Sequence, residues 1–303
     1  MSKKKTRTWP QEPEPLTRAV MDNHTHLPVH ELEIPKADGI RLSLPDQIQR
    51  ARAAGVTHQI SSACELPDFD PMLDIARQHE GIRVALAIHP NESALHAGHA
   101  EPSPDGLTPE QKDYHIPLVE ALVEVERRLA DPMVVAVGET GLDFFRTGPQ
   151  GRQAQADSFR AHLEMARNAG LPLQIHDRDA HEETLQILAE SAGPDQQIVF
   201  HCYSGDAEMA QSLKDNGWYA SFSGTITYPA NEHLRQALAV LPRELVLVET
   251  DAPYLTPAPH RGNPNSSYVM VHTVRFIADL WGVSEDQACD QLMANSQRVY
   301  GIW

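Results

Sequence analysis

MVVAVGETGLDFFRTGPQGRQAQADSFRAHLEMARNAGLPLQIHDRDAHEETLQILAESAGPDQQIVFH, residues 133–201, alternates short apolar runs with longer helix-like segments. The runs Met133–Val137, Leu171–His176 and Gln196–His201 are rich in Val, Ile and Leu, as strands buried on both faces must be. Between them, Ala154–Ala169 and Ala180–Ala192 have helical character and the length of helices rather than strands. Repeated strand–helix–strand units build a parallel sheet covered by helices. The three apolar runs also lead into Glu139 (after one glycine), His176 and His201. Each strand therefore delivers a polar group at its C-terminal end.

The same alternation extends in both directions. Further candidate strands are Ala19–His24, Val56–Ala63, Ile82–His89, Trp218–Phe222 and Glu244–Glu249. Further candidate helices are Asp46–Ala54, Ile116–Ala130, Ala207–Asn216, Asn231–Val240, Ser267–Trp281 and Ser284–Ala294. Eight such units in one domain predict an α/β fold, a (β/α)8 TIM barrel with its site at the C-terminal rim of the strands. A doubly wound open sheet is the alternative, but no G-x-G-x-x-G turn or P-loop follows any strand. No organic cofactor is expected. The polar start, rich in Lys, Pro and Glu, predicts a disordered tail over residues 1–18, with the barrel over 19–303. Two long connections, Pro28–Pro45 and Pro90–His115, follow the first and third strands. The second is expected to form a flexible wall or lid beside the site.

Composition narrows the chemistry. The 303 residues are 41% hydrophobic and 22% charged, ordinary for a globular chain, with no run of the ~20 apolar residues that a membrane span needs. Acidic residues follow the basic start where a signal peptide would be apolar, so a cytoplasmic monomer is expected. Cys64, Cys202 and Cys289 do not make a disulfide framework and are read as reduced thiols. The net charge of −17 argues against a protein that wraps duplex DNA, whose affinity comes largely from phosphate contacts. An anionic substrate would have to be drawn in locally, by cations or a few arginines.

His24 and His26 end the first strand as a His-x-His pair, and neutral imidazole is a common ligand for divalent metals. By itself the pair says little, since roughly one arises by chance in a chain with 16 histidines. Its setting says more. Glu139, His176, His201 and the Glu249–Asp251 carboxylates end four further strands. Five rim positions with metal-ligand chemistry point to a metal centre.

The ordered set Asp22-Asn-His-Thr-His-Leu27, Gly138-Glu-Thr-Gly-Leu-Asp143, His176-Asp-Arg-Asp-Ala180, His201-Cys-Tyr-Ser-Gly205 and Glu249-Thr-Asp-Ala-Pro-Tyr-Leu255 resembles the TatD family of metal-dependent hydrolases, in the amidohydrolase superfamily. Ile88-His-Pro90 and Arg261-Gly-Asn-Pro-Asn265 agree, so the resemblance runs from about Met21 to Tyr300. It implies that His24, His26 and Asp251 bind one divalent cation, that His176 and His201 bind a second, and that Glu139 bridges them. The metal would be Mg, Mn or Zn. The implied activity is cleavage of phosphodiester bonds in DNA, as a 3′–5′ exonuclease on single strands or ends. The attacking hydroxide would be shared by cations ~3.5–4 Å apart, with Asp251 managing its proton beside Glu139. An aminoacyl-tRNA deacylase or another amidohydrolase-type ester or amide hydrolase would use the same ligands, and a non-catalytic metal-binding scaffold would not need all six.

Four residues near the ligands are candidates for substrate contact: His89, Asp143, Arg178 and Arg261. His89 either meets substrate or caps the turn beside Pro90. Asp143 and Arg178 either serve the site or pair with each other, and arginine forks match phosphate geometry. Tyr203 and Trp218 are read as packing rather than as base-stacking platforms. His96, His99 and His115 are read as loop residues.

Overall fold

In a computed structural model, which describes residues 7–303, the chain is a (β/α)8 barrel. Its strands are β1 (Val20–Thr25), β2 (Val56–Ala63), β3 (Ile82–Leu86), β4 (Val134–Asp143), β5 (Leu173–Arg178), β6 (Ile198–Phe200), β7 (Tyr219–Phe222) and β8 (Val246–Val248). They form one eight-stranded sheet in chain order, and the registered neighbours within it run parallel. The helices are α1 (Leu44–Ala53), α2 (Phe69–Gln78), α3 (Pro90–His96), α4 (Leu118–Glu126), α5 (Arg152–Ala169), α6 (His181–Ser191), α7 (Ala207–Asn216), α8 (Glu232–Val240), α9 (Val271–Trp281) and α10 (Glu285–Tyr300). None of the described helices is long and apolar enough to cross a membrane.

Two compact units interleave along the chain. The first contains the chain up to Ser61 together with 206–298 and Trp303; the second contains 62–205 and 299–302. In the first unit, β8 returns beside β1: Asp251 N donates to His24 O at 3.0 Å, and Thr250 N donates to Asp22 Oδ1 at 2.9 Å. In the second, β4 and β5 carry the sheet, with α5 laid along it. Phe159, Leu163 and Ala166 of α5 are buried at helical spacing.

Local sequence accounts for most boundaries. Ser43 caps α1 by accepting from Asp46 N, with Pro45 in the first turn. Asp206 caps α7 by accepting from Glu208 N and Met209 N, both at 3.0 Å. The helix α2 was not among the candidate helices. Pro71 falls in the first turn, where it is tolerated, and Phe69, Met72, Leu73 and Ala76 are buried on one face.

Two expectations change. Residues 1–6 of the expected disordered tail lie outside the described residues. The remainder lies against the first unit: Leu16 is 7% exposed, Tyr268 Oη donates to Pro10 O at 2.7 Å, and Leu16 N donates to Ala54 O at 3.0 Å. A few apolar and backbone anchors order a segment whose composition is otherwise polar. The connection 90–115, expected as a flexible lid, starts with α3 and is tied down by polar bonds. His115 Nε2 meets Glu92 Oε2 at 2.8 Å, His96 Nδ1 meets Ile116 O at 2.7 Å, and Tyr114 Oη donates to Glu65 Oε2 at 2.6 Å. His96 thus ends a helix and is only 4% exposed, instead of lying in a loop.

Candidate metal centre

The polar residues at the strand ends form two groups, one in each unit. In the first, β1 carries an extra residue between Asp22↔Gln59 and Thr25↔Ser61, a bulge at Asn23–His24. Bulges re-aim side chains and recur beside active sites. His24 is fully buried, and His26, just past the strand, is partly exposed. Their Nε2 atoms stand 3.3 Å apart, and Asp251 Oδ1 lies 3.3 Å from His26 Nε2 and 3.9 Å from His24 Nε2. Two donors ~2.1 Å from one tetrahedral cation are separated by about 3.4 Å. Asp251 takes a left-handed backbone, φ 53°, which costs on the order of 1–3 kcal/mol for a residue with a side chain. The turn is fixed by Asp251 N on His24 O and by Asp22, whose carboxylate accepts from both Thr250 N and Thr250 Oγ1. Burial pushes the Asp22 carboxyl up to about 7, against those hydrogen bonds.

In the second unit, β4 takes three steps from Val137 to Thr140 while β5 takes two from Leu173 to Ile175, a bulge at Gly138–Glu139. Two glycines make room for it. A Cβ on Gly138 would lie 2.6 Å from Gln174 Cβ, and one on Gly141 would lie 2.2 Å from His176 O, where φ is +132°. No other residue fits at either place without moving β5. Glu139, thus placed, is 3% exposed. Its Oε1 lies 2.5 Å from His176 Nδ1, 2.8 Å from His201 Nε2 and 3.4 Å from His89 Nε2. Although burial opposes it, the His201 and His89 rings beside it and the hydrogen bonds of His176 and His201 hold the Glu139 carboxyl well below the usual range. His176 rises to about 9: burial opposes this too, but Asp143 and Glu139 favour the imidazolium. A buried carboxylate held in its charged form is a site that demands positive charge. The donors that converge here, on Glu139, His89 and His176, are imidazole nitrogens and carboxylate oxygens, so the residues fit a divalent cation.

Hydrogen bonds decide which histidine nitrogens are available. His176 Nε2 faces Asp143 Oδ2 at 3.1 Å, so a proton there leaves Nδ1 as the nitrogen that could meet a cation, as carboxylate–histidine–metal arrangements require. His89 Nδ1 accepts from Asn91 N at 3.1 Å and caps α3, which puts its proton on Nε2, facing Glu139. Of the two roles left open for it, His89 takes the cap, and its Nε2 faces Glu139. Although it lies within ligand distance of Glu139 and His176, this tautomer makes it a donor instead of a ligand.

Asp143 is not paired with Arg178. It is 1% exposed, and Oδ1 accepts from Phe145 N and Arg146 N at 3.0 and 2.8 Å, while Oδ2 faces His176 and Asn91. Its carboxylate is committed inward, where it is placed to orient His176. Arg178, two residues beyond His176 on β5, lies 4.0 Å over the Phe145 ring and makes no side-chain hydrogen bond among the described residues. Arg261 likewise lies 4.3 Å over Tyr228 and is exposed. Tyr203 and Trp218 are 2% and 7% exposed, as expected for packing residues.

Three supporting residues were not among the site candidates read from the sequence. Cys64 Sγ donates to Glu139 Oε2 at 3.7 Å, and burial pushes its thiol well up. His162, fully buried on α5, accepts from Ile88 N at 3.2 Å through Nε2 and faces Thr140 Oγ1 at 3.0 Å through Nδ1, so it backs both His89 and Glu139. Asn265 donates to Thr250 O and Tyr254 O, bracketing Asp251.

Comparison with known proteins gives a consistent result. The family of TatD related DNases matches residues 21–301. A metal-dependent hydrolase TatD of Mycobacterium tuberculosis is 36% identical over 287 residues, covering 93% of this chain and 98% of that one. A 3′-5′ ssDNA/RNA exonuclease TatD of Erwinia tasmaniensis is 28% identical over 261 residues, covering 84% and 92%. Among solved structures, the TatD homologue YJJV of Escherichia coli superposes with a TM-score of 0.77 at 26% identity, covering 94% of this chain and 98% of that one.

Proposed function

The chain belongs to the TatD related DNase family of metal-dependent hydrolases, and from that membership we propose that it is a nuclease removing nucleotides from the 3′ ends of single-stranded DNA. One observation carries the reading: within the second unit, three imidazole nitrogens lie within 3.4 Å of one buried carboxylate oxygen, Glu139 Oε1. The name of the Erwinia relative supplies the direction and the strand preference.

In this reading His24, His26 and Asp251 would hold one divalent cation, His176 and His201 would hold a second, and Glu139 would serve both. The cations supply Lewis acidity toward a phosphoryl oxygen and make water acidic enough to react near neutral pH. The rest is done by the protein's own side chains. Asp251, partly exposed at the rim beside His26, is placed to accept the proton of the attacking water. His89 Nε2–H is a donor for a phosphoryl oxygen. Arg178 and Arg261 offer guanidinium edges to phosphates, each with its plane already stacked on a ring. With a chain charge of −17, such local cations, more than the surface at large, must hold the anion.

The test is hydrolysis of 3′-labelled and 5′-labelled single-stranded oligonucleotides, beside ester and amide substrates, with Mg2+, Mn2+ or Zn2+ and after chelation. Stepwise release of nucleotides from the 3′ end that stops on chelation is expected. Turnover of the esters or amides without any cleavage of DNA would overturn the reading.

A further inference from the structure

Tyr254 is the one aromatic residue among the large apolar side chains most exposed in the described chain, at 62%. Single exposed apolar residues are normal on a protein surface. This one is distinguished by what holds it and what stands beside it. It lies three residues after Asp251, and its ring centroid is 6.4 Å from that of His26, at 68°. Its backbone cannot wander: Tyr254 N donates to Asp251 O at 2.9 Å, and the Nδ2 of Asn265, itself 1% exposed, donates to Tyr254 O at 2.6 Å and Thr250 O at 3.0 Å. A further bond from Asn265 N to Pro253 O spans the same turn. An open aromatic face is therefore mounted on a rigid turn at the edge of the His24–His26–Asp251 group.

We propose that Tyr254 is the stacking platform for the unpaired nucleobase beside the scissile phosphate. The inference rests on the nuclease reading and adds to it the part of the substrate that is read. Every base has a π-face, so stacking gives affinity without sequence preference. In a duplex both faces of a base are covered by its neighbours, whereas a frayed or single-stranded end leaves a face open. Stacking also needs no positive charge, which suits a chain of net charge −17 that can neutralise few phosphates. Tyr254 would then select single-stranded ends where the surface charge cannot.

The experiment compares a single-stranded oligonucleotide with the same oligonucleotide carrying abasic residues at its two 3′ positions. The metal-loaded wild-type enzyme is expected to show a KM about tenfold higher for the abasic substrate. In Tyr254→Ala the loss should fall on KM for the base-bearing substrate, bringing the two substrates together, while Tyr254→Phe and Tyr254→Trp keep them apart. Metal content by mass spectrometry should be the same in all three variants as in wild type. Continued discrimination by Tyr254→Ala, or lost cation in that variant, would overturn the proposal in favour of a structural role. If the wild-type enzyme cleaves neither DNA, the nuclease reading fails. Fluorescence anisotropy of the same two oligonucleotides then decides the stacking separately: equal affinity of wild type for both would sink it.

Discussion

The two ligand groups are built on different plans. His24 and His26 leave one strand end almost together, and the partner segment brings Asp251 in from the neighbouring strand. Glu139 on β4, by contrast, is the hub of donors from three other segments: His89 after β3, His176 on β5 and His201 after β6. Behind it stand Asp143, Cys64 and His162. A β-bulge at the ligand is common to both. The first group resembles a chelate from nearby residues and the second a polar network, in which each member orients another and losses spread. The two should therefore fail differently.

The largest effect is expected at the hub. Glu139→Gln keeps the shape but removes the charge that offsets the repulsion of two dications. It should remove at least one cation and lower activity more than about hundredfold, since even outer partners of a metal site cost 10–100-fold. Native mass spectrometry checks the metal, and circular dichroism the fold, which should survive. Full occupancy with near-normal turnover would show that Glu139 is not the bridge.

His176→Ala separates the two plans most directly. It should cost about hundredfold in activity and empty the second cation position, leaving one cation on His24, His26 and Asp251. Metal counting of the purified variant reads this out, and loss of both cations would mean that the groups do not bind independently.

Asp143→Asn probes the network one layer out. Its Oδ1 can still accept from Phe145 N and Arg146 N, so the turn should hold and only the partner of His176 Nε2 weakens. On the order of tenfold in metal affinity or activity should be lost. A titration with Mn2+ giving wild-type affinity would remove Asp143 from the metal centre.

The smallest effect is a pH dependence of the metal-stripped protein. His176, raised from its ordinary 6.5 to about 9, contributes stability that is complete below about 6.5 and lost as the pH rises through about 9. Glu139 and Asp143, held low, contribute stability that disappears only in acid. The melting temperature in chelator should therefore fall between pH 6.5 and 9, and His176→Ala should flatten the fall. Added cation should reverse the trend, because ligation requires the deprotonated ring. A flat profile for the stripped wild type across that interval would show that His176 is not raised.

The amino-acid sequence alone determined the strand–helix alternation, the barrel and the rim positions of His24, Glu139, His176, His201 and Asp251. These are local signals: an apolar run of strand length, and the polar residue that ends it. Helix α2 and the docked segment before Ala19 escaped because each owes its order to a few buried anchors within a polar or proline-containing stretch. Only the tertiary structure decided how the side chains are used. The register of β4 against β5 sets Asp143 opposite Arg178, and only the side-chain contact with His176 Nε2 assigns its carboxylate. The role of His89 depended on Asn91 N occupying its Nδ1, and the exposure of Tyr254 on a turn that Asn265 closes from eleven residues away. A residue type limits what chemistry is possible at a position. Which nitrogen is free, which face is open and which carboxylate is committed depend on neighbours distant along the chain, and these are decided only when the strands are paired.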